Sequence, residues 1–179
     1  MGRRVLRFRI GFMACAAILV SVVSMSASTS ASAAQVRPAS AAGIPGGFTY
    51  QAQVQLINLF NSECLDGREG TGNVTVQTCY TDGTHEVWNL YADGDEYMLV
   101  DVFNGLCLDG REGTGNVTLQ PCGSDGTHEY WIAYQYTYYS ATFENVFNGL
   151  YLDGREGTGN VTVQPGPNND GLHEYWNPA

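Results

Sequence analysis

Beyond residue 43 the chain has no lysine and only three arginines, Arg68, Arg111 and Arg155, while all 18 of its acidic residues lie there; the whole chain has a formal net charge of −10. A surface of that sign repels phosphates, which excludes nucleic acid as the partner. No apolar run reaches the roughly 20 residues that a membrane-spanning helix needs. No stretch keeps a 3.6-residue apolar period, so a helical fold is excluded as well. Cysteines two to four positions apart, the usual mark of a zinc site, do not occur. No nucleophile or metal-ligand triad stands out, and no cofactor is implied. His85 and Glu86 could serve as a base and acid, but catalytic sites seldom come in equal copies, so an enzyme is not expected.

What the chain does have begins with a leader. Arg3, Arg4, Arg7 and Arg9 precede an apolar stretch from Ile10 to Val23, and Ala31-Ser32-Ala33 follows it. That order is a secretory signal. We expect residues 1–34 to be removed, 35–45 to be a small-residue linker and 46–179 to be the folded, extracellular domain. A second possible cleavage site, Ala39-Ser40-Ala41, leaves the mature start between residues 34 and 43. Cys15 leaves with the leader. Four cysteines remain, in two pairs of equal spacing, and an even number in an exported chain predicts two disulfides, Cys64 with Cys79 and Cys107 with Cys122.

The mature part repeats itself. Cys64-Leu65-Asp66-Gly67-Arg68-Glu69-Gly70-Thr71-Gly72-Asn73-Val74-Thr75 recurs from Cys107 to Thr118, and again from Tyr151 to Thr162 with tyrosine in place of cysteine; Trp88, Trp131 and Trp176 follow the same step. A period of this kind means units that cannot bury an apolar face without their neighbours. Within each unit, short alternating runs such as Tyr97 to Phe103 are broken by Gly, Asp and Asn, the pattern of strands and turns. Three β units (about 46–88, 89–131 and 132–179) suit a closed all-β fold, the β-trefoil, with pseudo-threefold symmetry. The tryptophans are expected in its core. The chain is expected to be a monomer.

Internal repetition also shows which polar residues are kept. Twelve of the acidic residues fall in four columns: Asp66, Asp109, Asp153; Glu69, Glu112, Glu156; Asp82, Asp125, Asp170; and Glu86, Glu129, Glu174. His85, His128 and His173 form a fifth column. In each unit valine or leucine alternates with Asn73, Thr75 and Gln77, with Asn116, Thr118 and Gln120, or with Asn160, Thr162 and Gln164, which predicts a polar strip facing solvent. By the same alternation Asp66 should lie on that outward face, clipped beside Asn73 and Gln77 by the disulfide. A carboxylate that accepts hydroxyl hydrogens beside amides that both donate and accept suits a sugar. The competing reading is that Asp66-Gly67 only forms a tight turn. The Asn-Val-Thr sequons at 73, 116 and 160 follow from the repeat itself.

These residues resemble the ricin B-type β-trefoil lectins, whose repeat carries Cys-Leu-Asp, a second cysteine about fifteen residues on and a closing Gln-x-Trp. Cys64-Leu65-Asp66 and Cys107-Leu108-Asp109 match the opening; Glu86-Val87-Trp88, Glu129-Tyr130-Trp131 and Glu174-Tyr175-Trp176 match the close, with glutamate for glutamine. In layout the chain is similar to the compact, three-repeat, actinohivin-like members. The resemblance implies a glycan or polysaccharide ligand, Asp66, Asp109 and Asp153 as hydroxyl acceptors of three equivalent sites, and His85, His128 and His173 with Glu86, Glu129 and Glu174 as their neighbours. The family's aromatic platform near the second cysteine has no counterpart at Thr75, Gln77 or Thr78, so each site is expected to be weak and to act multivalently. A protein-binding or inhibitor module, or a calcium-binding one, is the alternative on the same scaffold.

Overall fold

The computed structural model describes residues 43–68, 72–111, 115–154, 159–166 and 171–179. The expected leader, the linker as far as residue 42, the column of Glu69, Glu112 and Glu156, and Arg155 and Asp170 lie outside the described residues. No helix among the described residues is long and apolar enough to cross a membrane.

Among the described residues, thirteen short strands form one antiparallel network. The first repeat holds β1 (Thr49–Val54), β2 (Leu56–Asn58), β3 (Glu63–Asp66), β4 (Thr75–Thr78) and β5 (Trp88–Asp93). The second holds β6 (Glu96–Asp101), β7 (Cys107–Asp109), β8 (Thr118–Gln120) and β9 (Trp131–Thr137). The third holds β10 (Ser140–Asn145), β11 (Tyr151–Asp153), β12 (Thr162–Gln164) and β13 (Trp176–Pro178). Four strands per unit make the expected twelve. The thirteenth arises because the first strand is interrupted at Gln55, whose amide and carbonyl pair with Ala179 and so join the two ends of the domain.

Three backbone hydrogen bonds close the fold on itself. The Val74 amide donates to the Val117 carbonyl, Val117 to Val161, and Val161 to Val74, at 3.2, 3.0 and 3.0 Å. Each unit thus satisfies a backbone group of the next, and the ring leaves none of these buried groups unpaired. Asn73, Asn116 and Asn160 take part in the same closure, through bridges to Thr118, Thr162 and Thr75. A β-trefoil of pseudo-threefold symmetry is the result.

The core repeats with the same symmetry. Trp88, Trp131 and Trp176 are fully buried, in one core cluster with leucine and valine from all three units. Each indole N–H donates at 3.0 Å to a leucine carbonyl, of Leu65, Leu108 or Leu152, so the largest side chains are buried with no polar atom unpaired. Both expected disulfides are present, with Cα atoms 5.0 Å apart. In the third repeat the Tyr151 hydroxyl donates to Glu144 at 2.6 Å instead.

Candidate functional site

The expected solvent-facing position of Asp66 is overturned. Asp66, Asp109 and Asp153 are at most 1% exposed. Alternation assigned the correct side of the strand but not what covers that side. Leu65 belongs to the core cluster, while Cys64 and Asp66 lie outside it, and a 3-10 turn at Gly83–Glu86 packs against β3. The Gly67 amide donates to the His85 carbonyl at 2.9 Å and locks that turn over the end of β3. The same bond runs from Gly110 to His128 and from Gly154 to His173.

Register places Asp66 opposite Thr75, and Gln77 opposite Cys64. Neither oxygen of Asp66 or Asp109 accepts a hydrogen bond among the described residues. Asn73 and Gln77 therefore do not bond to Asp66, although both lie half-buried on the strip that was expected to be polar. The Gln77, Gln120 and Gln164 amides reach only to Thr75, Thr118 and Thr162 of their own strands.

Burial without donors disfavours the charged carboxylate. Desolvation, joined by the nearby charge of Asp82, pushes Asp66 up to about 6 against the pull of His85 and Arg68. Asp109 is raised for the same reason, by burial first and by Asp125 second. The Arg111 guanidinium lies across this second site, 2.7 Å from Asp125 and 3.8 Å from Asp109. Ligand atoms of Asp109, Asp125 and His128 fall within 4.8 Å of one another, a spacing that a cation could use.

The Glu86 column has a different environment. Glu86 is fully buried, and its carboxylate accepts the backbone amides of Tyr80, Thr81 and Asp82, at 2.5, 3.1 and 3.0 Å. Glu129 does the same for Gly123, Ser124 and Asp125, at 2.6, 3.2 and 3.1 Å. This is an anion held in a nest of successive N–H groups. The nest requires a positive φ, which Gly123 adopts at 74° and Tyr80 adopts, as a non-glycine, at 65°. Glu174 is buried against Gly166, where a Cβ would lie 2.4 Å from its Oε1.

One element of the site crosses the boundary between repeats. His85 stacks on Phe103 at 3.8 Å between ring centroids and His173 on Phe60 at 3.9 Å, while His128 packs on Phe147 at 3.8 Å with the rings tilted by 48°. Each phenylalanine belongs to the next unit around the axis, and each is about 40% exposed. The asparagine after it, Asn104, Asn148 or Asn61, donates to the carbonyl of Gly67, Gly110 or Gly154. Sequence reasoning missed these residues. The signal was there, since Phe-Asn recurs four positions before Cys64, Cys107 and Tyr151. Searching within one unit for an aromatic platform could not find a ring supplied by its neighbour.

Each site is thus a buried carboxylate beneath a histidine, with a half-exposed aromatic ring packed on that histidine. A family model described as the ricin-type beta-trefoil lectin domain matches residues 52–176. No curated protein matches the sequence. Among solved structures, a designed threefold-symmetric protein, ThreeFoil, is similar at 21% identity and a TM-score of 0.60, over 71% of this chain and 97% of that one. A Polyporus squamosus lectin bound to a sialylated trisaccharide epitope is similar at 16% identity and a TM-score of 0.62, over 73% of this chain and 49% of that one. A Momordica charantia homologue of type II ribosome-inactivating proteins, in complex with α-methyl-D-galactoside, is similar at 18% identity and a TM-score of 0.58, over 71% and 47%. The chain spans about half the length of the last two. At these identities the likeness establishes the fold.

Proposed function

Because the chain belongs to the ricin-type β-trefoil lectin domain family, we propose that it is a secreted carbohydrate-binding protein with up to three equivalent weak sites that act together on a multivalent glycan. The observation that carries this reading is the threefold recurrence of one cluster: Asp66, His85 and Phe103; Asp109, His128 and Phe147; Asp153, His173 and Phe60. The aspartate accepts sugar hydroxyls once the histidine turn that covers it shifts, and at Asp66 and Asp109 these hydroxyls compensate a carboxylate that receives no hydrogen bond among the described residues. The phenylalanine offers an apolar face to the sugar ring. Since Asp109 lies beneath Arg111, binding at the second site requires that exposed side chain to swing aside.

Asn73, Gln77 and their counterparts line the neighbouring strip, where amides can add further hydrogen bonds. Glu86, Glu129 and Glu174 support the loops that carry the site and stay out of reach of the ligand. A single site near millimolar corresponds to about −4 kcal/mol, and three on one polymer gain roughly 10²- to 10⁴-fold in avidity. Secretion is supported by the leader and by the two disulfides, which persist in oxidising compartments.

The test is a glycan-array screen of the secreted protein beside a triple variant, Asp66→Asn, Asp109→Asn and Asp153→Asn, which keeps side-chain volume at buried positions. Binding to polymeric glycans that the folded variant loses supports the proposal; no binding by either protein rejects it. A calcium-binding module is the second reading, with the Asp109 and Asp125 carboxylates, which lie close together, as its oxygen ligands. A melting temperature raised by calcium and lost in Asp109→Asn would support that instead.

A further inference from the structure

The three repeats differ at one buried position that ties each site together. In the second site the Asn145 carbonyl oxygen accepts the Phe147 amide at 3.2 Å, and its NH2 donates to the His128 carbonyl at 2.7 Å. In the third site Asn58 accepts the Phe60 amide at 3.0 Å and donates to the His173 carbonyl at 2.7 Å. One amide thus joins the backbone of both rings in each pair. In the first site the residue is Asp101. Its Oδ1 accepts the Phe103 amide at 3.0 Å, as the asparagines do, but its Oδ2 is buried with no hydrogen-bond partner among the described residues.

That oxygen occupies the place of the asparagine NH2. A Cβ added at Gly67 would lie 2.6 Å from Asp101 Oδ2; at Gly110 and Gly154 it would lie 2.7 and 2.6 Å from the Nδ2 of Asn145 and Asn58. In the second and third repeats the group donates to a histidine carbonyl; the equivalent carbonyl in the first repeat is that of His85, which only a donor can satisfy. We infer that Asp101 acts as a protonated acid that donates to the His85 carbonyl, so that the first site, alone of the three, is held together by a proton that rising pH removes.

The surroundings favour the neutral form. Asp101 is fully buried, and desolvation pushes its carboxyl up to about 7, against the Phe103 amide and the charge of His85 and with the help of Asp66. The ionisable groups that bear on it are Asp66, from β3, and His85, from the 3-10 turn; Asp82, Glu86 and Arg68 bear on Asp66. Across the β5–β6 pair it faces the neutral Trp88. When the proton leaves, the His85 carbonyl loses its second donor and a charge appears beside Asp66. The link between His85 and Phe103 then opens, while the asparagine links of the other sites do not titrate.

The deciding experiment is a carboxyl-carbon NMR titration of the whole protein without sugar. Asp101 is expected to titrate near neutrality, and the Phe103 amide bonded to it to shift with the same midpoint, while the Phe147 and Phe60 amides, bonded to Asn145 and Asn58, show no such step. An Asp101 midpoint near 4 overturns the inference. Asp101→Asn restores the group that the other two repeats use, so it is expected to fold, to abolish the titration-linked shifts and to melt above the parent at pH 8 but together with it at pH 3.5. The sign follows from linkage: a carboxyl raised in the folded state contributes stability below its unfolded value near 4, which is lost as pH rises towards 7. Shifts that persist in the variant also overturn the inference. Only the consequence for glycan binding, a first site weaker at pH 8 than at pH 6, rests on the lectin reading. Failure of the glycan screen would leave the titration result untouched.

Discussion

Two acidic columns, equally buried and equally regular in the sequence, have opposite environments. The Glu86 and Glu129 carboxylates are each wrapped by three consecutive backbone amides. The Asp66 and Asp109 carboxylates receive no hydrogen bond among the described residues. A buried carboxylate with a full set of donors is part of the scaffold. One without donors costs stability, and such a cost persists where function requires it. Burial alone therefore does not separate structure from site; the count of donors does.

The strongest way to break this comparison is to remove a wrapped glutamate. Glu129→Ala leaves three loop amides and the Ser124 hydroxyl without their acceptor. Loss of charged hydrogen bonds at a buried site predicts a destabilisation of about 3–5 kcal/mol. Urea denaturation would measure it. A loss below about 1 kcal/mol would show that the nest does not hold the loop.

The aspartate column should respond with the opposite sign. Asp66 titrates at about 6 in the fold against 3.8 as a free group. The raised value means that its stabilising contribution is present below pH 4 and lost as pH climbs through 6. Asp66→Asn removes that loss, so the variant should match the parent at pH 3.5 and exceed it by about 1–2 kcal/mol at pH 7.5, with part of the gain offset by an unsatisfied amide. Thermal melts across that range decide the matter. A variant less stable than its parent at pH 7.5 would put Asp66 in the scaffold with Glu86.

How much of this could be read from the chain follows from the kind of information each residue carries. The repeat, the all-strand pattern, both disulfides and the core tryptophans were legible, because each depends on spacing within one unit. The alternation around Val74 and Val76 was also legible, and those valines are buried while Asn73, Thr75 and Gln77 are half-exposed. The cover over Asp66 was not, since a 3-10 turn twenty residues downstream supplies it. Nor was the stacking of His85 on Phe103, which joins two units across a fold boundary. Asp101 could have been found by comparing the copies, Asn58 and Asn145 against Asp101, but its meaning depends on the carbonyl it faces.

The smallest effect concerns Arg111, an exposed side chain that covers an aspartate. The Arg111 side chain is 46% exposed, so its ion pair with Asp125 is screened, and Arg111→Ala should change stability by less than about 1 kcal/mol. Its effect on Asp109 should still be visible. Burial and Asp125 raise that carboxyl, while Arg111 and His128 lower it. Removing the arginine should therefore move the Asp109 titration midpoint upward, and removing Asp125 should move it downward; carboxyl NMR reads both. If Asp109 were indifferent to both changes, its environment would be fixed by the fold, and an arginine that swings aside to admit a ligand would have no part in the second site.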